Sequence, residues 1–321
     1  MRIIKGMKLL SSLLTTSFVI FLFALIPLLD KNLYHIDLLV TAGVFVLLAL
    51  GLNVIVGFAG LLNLGYAAFF AIGAYTYALA NLHWHIPFWP SLLLSAFTSA
   101  FFGVILAFPA LRLSGDYLAI VTLGFGEIVR IILNNLDSIT GGPNGLLGIN
   151  HPSIWNGYSF GVNPVPYYYL LLVLCVLISL ALARLENSRI GRAWIAMRED
   201  ELAAGCMGIN LVQTKLFAFG LGAGIAGLAG CLFAGKQGTI SPDSFDFILS
   251  VTVLAMVVLG GLGSIRGAIL GAFVLTLLPE MLRGFQMYRM LLFGIALILM
   301  MLFMPQGLMG DIKHREELKK L

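Results

Sequence analysis

"LFAFGLGAGIAGLAGCLFAG", residues 216–235, is twenty residues long and holds no charge. At about 1.5 Å per residue a helix of that length spans roughly 30 Å, the thickness of a bilayer's hydrocarbon core. Gly220 and Gly224 form a GxxxG step, and Ala223–Gly227 and Ala226–Gly230 extend it. Small residues at that spacing let helix backbones approach closely in lipid. The pattern predicts a membrane helix with a packing face, turned toward its own subunit or toward a partner.

The rest of the chain repeats the message. Its 321 residues are 60% hydrophobic and 11% charged, with 36 glycines. A soluble protein could not bury so much apolar surface in one core. The expected fold is an all-α, polytopic membrane bundle of about ten spans, with broken or re-entrant helices as the alternative to some of them. The spans fall near 9–29, 38–56, 60–80, 89–109, 117–134, 167–183, 216–234, 247–261, 267–282 and 289–304. The eighth and ninth are short, so they read either as two spans or as one re-entrant pair. The basic start and the apolar run from Leu9 to Leu29 resemble a signal peptide. The run is too long for one and no A-x-A site follows, so an uncleaved first span is expected.

Lysine and arginine set the orientation. With the N-terminus inside, fourteen of the nineteen fall in cytoplasmic segments and four, Lys31, Lys236, Arg283 and Arg289, fall outside. The positive-inside rule then places both termini in the cytoplasm. The net charge of +4 is thus a topology signal and gives no reason to invoke nucleic acid. Two loops are long: an external one at 135–166 containing "TGGPNG", and a cytoplasmic one at 184–215. No soluble domain interrupts the single domain 1–321.

Motifs for chemistry are missing. The sequence has no Walker-type phosphate loop, no H-E-x-x-H and no G-x-S-x-G. Cys175, Cys206 and Cys231 lack metal-site or disulfide spacing, and His83 and His85 flank Trp84 as interfacial residues. No metal or cofactor is expected. Glu127 and Arg130 sit three apart inside a span, on one helix face. Together with Asn53, Asn63 and Asn134 they are candidates for a translocation path or for a structural polar pair. So few buried ionisable groups argue against transport driven by an ion gradient. "VGFAGLLNLGYAAFFAIGAY" (56–75) and "VVLGGLGSIRGAILGAFV" (257–274) each hold a glycine-rich break. These are either ordinary hairpins or paired interrupted helices of two repeats.

The cytoplasmic loop contains "GRAWIAMREDELAAGCMGIN" (191–210). Ile195, Leu202, Cys206 and Ile209 fall near one face of a short amphipathic helix. A membrane-surface helix would carry many basic residues. Here Glu199, Asp200 and Glu201 stand beside Arg198, which favours a protein partner over anionic lipid.

This stretch resembles the ATPase-docking loop of bacterial ABC importer permeases, and more narrowly the branched-chain amino-acid permeases of the LivM type. "LGLNVIVGFAGLLNLGYAAFFAIGAY" (50–75), "SGDYLAIVTLGFGEIVRIILNNLDSITGGPNGLLGI" (114–149) and "VVLGGLGSIRGAILGA" (257–272) share the resemblance. The general importer pattern has Glu-Ala-Ala and then Gly after three residues. Here Leu202 holds the Glu position, before Ala203, Ala204 and Gly208, with Glu201 one residue earlier. The pattern does not choose which acid meets the ATPase.

The resemblance implies a permease subunit in the bacterial inner membrane, with no catalysis of its own. It would pair with a second, related permease, two cytoplasmic ATPases and an external substrate-binding protein. Arg198, Glu199, Asp200, Glu201, Ala203, Ala204 and Gly208 would form the docking loop. Leucine, isoleucine or valine would be the cargo, with urea or short amides as the alternative. An ion-coupled secondary transporter is the rival from another class, and an intramembrane enzyme the third reading.

Overall fold

The computed structural model describes residues 32–281, except 112, 114 and 154–159, together with residues 26, 27, 294, 298 and 307–309. The expected spans at 9–29 and 289–304 therefore lie almost wholly outside the described residues.

The described chain is all helices and their connecting segments, apart from one two-residue strand pair. Helix α1 runs Leu33–Leu52 and continues as a π-helical stretch, Asn53–Phe58. Next come α2 (Tyr66–Trp84), α3 (Phe88–Ala110), α4 (Asp116–Asn135) and a single turn, α5 (Asp137–Thr140). Strand β1 is Leu146–Leu147. Then follow α6 (Pro164–Glu186), α7 (Arg189–Glu199), α8 (Glu201–Cys206) and α9 (Leu211–Gln237). Strand β2 (Thr239–Ile240), α10 (Phe247–Gly260) and α11 (Ile265–Met281) complete it. Among the described residues, five segments are long and apolar enough to cross a membrane: Leu33–Phe58, Phe88–Pro109, Pro164–Glu186, Leu211–Gln237 and Pro242–Gly260.

Polar residues at the helix starts set the boundaries. Asn163, Ser188, Asp200, Asn210 and Asp246 each accept a backbone N–H from the first turn that follows. Such caps satisfy donors that a helix start leaves unpaired.

Helix α9 is the hub, packed against α1, α2 and α3. Its small-residue face is spent inside the subunit. A Cβ on Gly227 would strike the Ser95 carbonyl of α3, and one on Gly73 of α2 would strike Gly227. Gly220 and Gly224 lie against Val104 and Ala100 of α3.

One expected span is corrected. The helix read as 60–80 begins at Tyr66, and Gly60–Gly65 is not helical. Gly60 has φ +71°, which stops helical continuation. Leu64 N–H then donates to Thr122 Oγ1 at 3.0 Å, and Gly65 N–H to Asn63 Oδ1 at 2.9 Å. Side chains thus replace the lost helical bonds, the condition for irregular backbone at membrane depth. Depth follows from the neighbours. Gly60 lies against Arg198 in α7, whereas the Tyr66 hydroxyl donates to Gly222 O, near the middle of α9, at 2.9 Å.

Helices α10 and α11 form a hairpin joined by Gly261–Ser264, with Gly260 packed on Gly267. Helix α10 has 14 residues and rises about 21 Å, less than a full hydrocarbon core. The two glycine-rich breaks meet: Gly263 N–H donates to Asn53 Oδ1 at 2.9 Å, beside Gly57.

Candidate functional site: a docking face and a cleft at membrane depth

The polar segment after α6 is two helices rather than one. Asp200 has φ −156° and ψ 110°, which interrupts the helix, and its side chain caps α8 through Ala203 N–H at 3.0 Å. Helix α7 is fixed by Trp194, which is fully buried. The indole stacks on Phe58 of α1 at 6.5 Å and on Phe217 of α9 at 5.8 Å. Its Nε1–H donates to Thr214 O at 2.9 Å. Arg198 Nη1 donates to Gly57 O at 2.7 Å, and Nη2 pairs with Glu199 at 3.2 Å. Helix α8 is fixed by Glu201, whose carboxylate pairs with Lys215 Nζ at 2.5 Å. Lys215 is only 2% exposed.

These contacts divide the expected docking residues. Arg198 and Glu201 are engaged by the spans, and Ala204 is 4% exposed and packed inward. Glu199, Asp200, Ala203 and Gly208 are exposed. Two residues that the sequence reading left out of the docking set dominate this face: Leu202 at 81% and Met207 at 85% exposed. The general importer pattern obscured Leu202 by assigning its position to an acid.

The second feature is a cleft between the start of α2, the middle of α4 and the start of α10. Gly65, Ala68, Glu127, Phe245, Asp246 and Ser250 line it, with Leu64, Ala67, Leu123, Gly126 and Phe247. Ser250 Oγ accepts Ala67 N–H at 2.9 Å, tying α10 to the first turn of α2. Glu127 pairs with Arg130 at 3.0 Å, as their spacing predicts. Asn63 is fully buried beside Gly65, and its Nδ2 meets no acceptor among the described residues.

Of the polar candidates Glu127 alone lines the cleft; Asn63 is buried in the break beside Gly65, and the others lie apart. Asn53 lies at the π-helical end of α1, against Gly263. Arg130 and Asn134 lie one and two turns beyond Glu127 along α4. Asp246 and Ser250 were missed. Asp246 before an apolar run is a readable cap signal, but nothing local links it to residue 65.

Among the described residues no group of three His, Cys, Asp or Glu is placed to hold a metal ion. Residues 34–301 match the family described as "Branched-chain amino acid transport system / permease component". The chain belongs to that family.

The permease relatives extend the match. The high-affinity branched-chain amino acid transport system permease protein LivM of Salmonella typhimurium is 46% identical over 305 residues, covering 88% of this chain and 72% of the relative. LivM of Escherichia coli K12 is 45% identical with the same coverage. LivH of Salmonella typhimurium is 28% identical, over 86% of this chain and 93% of LivH. No solved structure matches. The chain is accordingly a multi-pass membrane permease of the LivM kind.

Proposed function

We propose that the chain is the permease subunit of an ATP-driven importer, and that it forms the translocation path for leucine, isoleucine and valine. The single observation that carries this reading is the LivM likeness across most of the chain. The docking face supports it. Leu202 and Met207 point away from the spans while Trp194, Arg198 and Glu201 fasten the segment to them. An amphipathic segment built this way fills a groove in a protein partner.

In this reading two ATPase subunits supply the hydrolysis, a LivH-like permease completes the path and an external binding protein delivers cargo. The chain is one permease domain of ten spans in the bacterial inner membrane, with both termini in the cytoplasm. The packing agrees with that orientation. The segment 187–210 adjoins the N-terminal end of α9, whereas the β1–β2 pair adjoins its C-terminal end. ATP binding draws the ATPases together and moves α7 and α8. Through Arg198 and Trp194 that movement reaches the end of α1 and the break at 60–65.

The test is uptake by proteoliposomes containing this chain, its partner permease, the ATPases and the binding protein. Labelled leucine should accumulate only with ATP inside, and a protonophore should not abolish it. Uptake without the ATPases that follows an ion gradient would mean a secondary transporter. Competition by urea or short amides, and not by isoleucine, would move the cargo to that class. A periplasm-active reporter fused after Asn150 should be active and one after Asp200 silent.

A further inference from the structure

We propose that the corner where α6 turns into α7 binds the headgroup of an anionic phospholipid, with Arg184, Arg189 and Arg192 as its cationic side. The inference goes beyond the transport reading and does not depend on the cargo.

The outer surface of α6 leads to this corner. Tyr169, Val173, Leu177, Leu180 and Arg184 are exposed and recur at steps of three or four, so they form one stripe along the helix. The stripe has an aromatic ring at one end, aliphatic side chains through its middle and a cation at the other end. That is the order of a helix face in contact with lipid, with its end residues at the two interfaces. The exposed face of α4 differs, because the Glu127–Arg130 pair interrupts it. Beyond Arg184 the chain turns sharply. A Cβ on Gly191 would strike the carbonyls of Leu185 and Glu186, so the first turn of α7 is pressed against the end of α6. Arg192 Nη1 donates to Asn187 O at 2.9 Å, which holds its guanidinium about one turn past Arg184. Arg189 stands three residues before Arg192 on the same face of α7, and all three arginines are exposed.

Charge singles the corner out. Eight lysines and arginines lie among the described residues, and four of them, Arg130, Arg198, Lys215 and Lys236, are in ion pairs. Three of the other four meet here. Glu186, the acid nearest in sequence, forms an ion pair with none of the three. Like charges gathered on one surface repel, so an anion among them is favoured. A guanidinium matches a phosphate through paired N–H donors, and Arg192 keeps donors beyond the one given to Asn187. A free phosphate would satisfy the charge alone. A phospholipid also satisfies the aliphatic stripe, which runs into the corner and offers a surface to the acyl chains of the same molecule. The acids of the segment, Glu199, Asp200 and Glu201, lie at the far end of α7 and on α8. The surface assigned to the ATPase is therefore separate from this corner.

The experiment reconstitutes the whole importer in vesicles of equal phosphatidylglycerol and phosphatidylcholine, extracts it in mild detergent and counts the retained lipids by mass spectrometry. Phosphatidylglycerol should exceed phosphatidylcholine at least threefold, since each arginine near an anionic surface strengthens attachment roughly fivefold. Arg184→Gln with Arg189→Gln leaves the Arg192 bond in place and should cut that ratio at least by half. Arg184→Lys with Arg189→Lys keeps the charge and should preserve most of it. A ratio that the glutamine pair leaves unchanged would overturn the site, and loss of the ATPases alongside would give the corner to them. Should the glutamine pair fail to assemble, the unchanged importer decides. Raising salt to about 0.5 M should bring its ratio toward one, because exposed charges are screened. A ratio near one at low salt, or one that salt does not alter, would overturn the site. Inorganic phosphate at matched ionic strength should leave the ratio as it is; its collapse would mean a site for the free anion. The count does not depend on which way the chain faces, so a reversed topology and a failed lipid site are separate outcomes.

Discussion

Arg198 Nη1 donates to the carbonyl of Gly57 at 2.7 Å, joining residues 141 positions apart. Gly57 lies in the π-helical stretch that ends α1, where helical carbonyls run out of partners. The Arg198 side chain also covers Gly60, the first residue of the break. One guanidinium therefore ties the cytoplasmic helices to the segment that leads to the cleft.

Arg198→Ala should uncouple the two ends. The Gly57 carbonyl loses a charged donor, worth about 1.5–3 kcal/mol. Leucine moved per ATP hydrolysed should fall severalfold in proteoliposomes, with the ATPases still bound. An unchanged ratio would show that the contact is only structural.

Trp194→Ala should destabilise the protein by about 3–5 kcal/mol, because it empties a fully buried site between Phe58 and Phe217. Trp194→Phe keeps a ring between Phe58 and Phe217 but loses the bond to Thr214 O, about 1 kcal/mol, and part of the packing, so its cost should fall between that and the alanine variant's. Detergent unfolding curves and the protease sensitivity of 187–210 measure both. Equal effects from the two variants would mean that packing contributes little here.

Much of the fold was legible because long apolar runs have few alternatives. Helix edges came within a few residues at α3, α4 and α10. The break at 60–65 was not legible. "GLLNLG" is apolar enough to pass for helix, and the groups that replace its helical bonds, Thr122 and Ser250, lie far off in sequence. The docking segment was legible in place but not in orientation. Helical spacing put Leu202 with Ile195, Cys206 and Ile209 on one apolar face, and the resemblance put Arg198, Glu201 and Ala204 in the docking loop. The structure gives Arg198 a carbonyl and Glu201 a buried lysine within the same subunit, so Leu202 faces outward and Ala204 inward. The small-residue pattern of α9 could not name its own partner, since a GxxxG face fits any close backbone.

Glu201 and Lys215 should behave as a coupled pair. Glu201→Gln strands the Lys215 ammonium, which is 2% exposed. Removing one partner of a fully buried pair costs about 3–5 kcal/mol, and the 37% exposure of Glu201 places this case below that range. Adding Lys215→Met should restore more than half of the lost stability. Strictly additive losses in detergent unfolding would show that the pair is not coupled.

The docking role of α8 is best tested at Leu202. Gly208 looks attractive, but its φ of +86° means that any side chain there strains the backbone. A Gly208→Glu failure would not separate docking from folding. Leu202 is 81% exposed and the described chain leaves its side chain free, so Leu202→Glu should leave the subunit inserted and its melting unchanged. An apolar anchor in a partner's groove becomes a charge there, and desolvating that charge opposes binding. The ATPases should co-purify at least tenfold less, and leucine uptake should fall with them. Cys206 supplies a second reading on the same face, as an exposed free thiol. In the unchanged protein, added ATPase should protect it from maleimide; in Leu202→Glu that protection should vanish. Full ATPase retention together with undiminished protection of Cys206 would remove α8 from the docking surface.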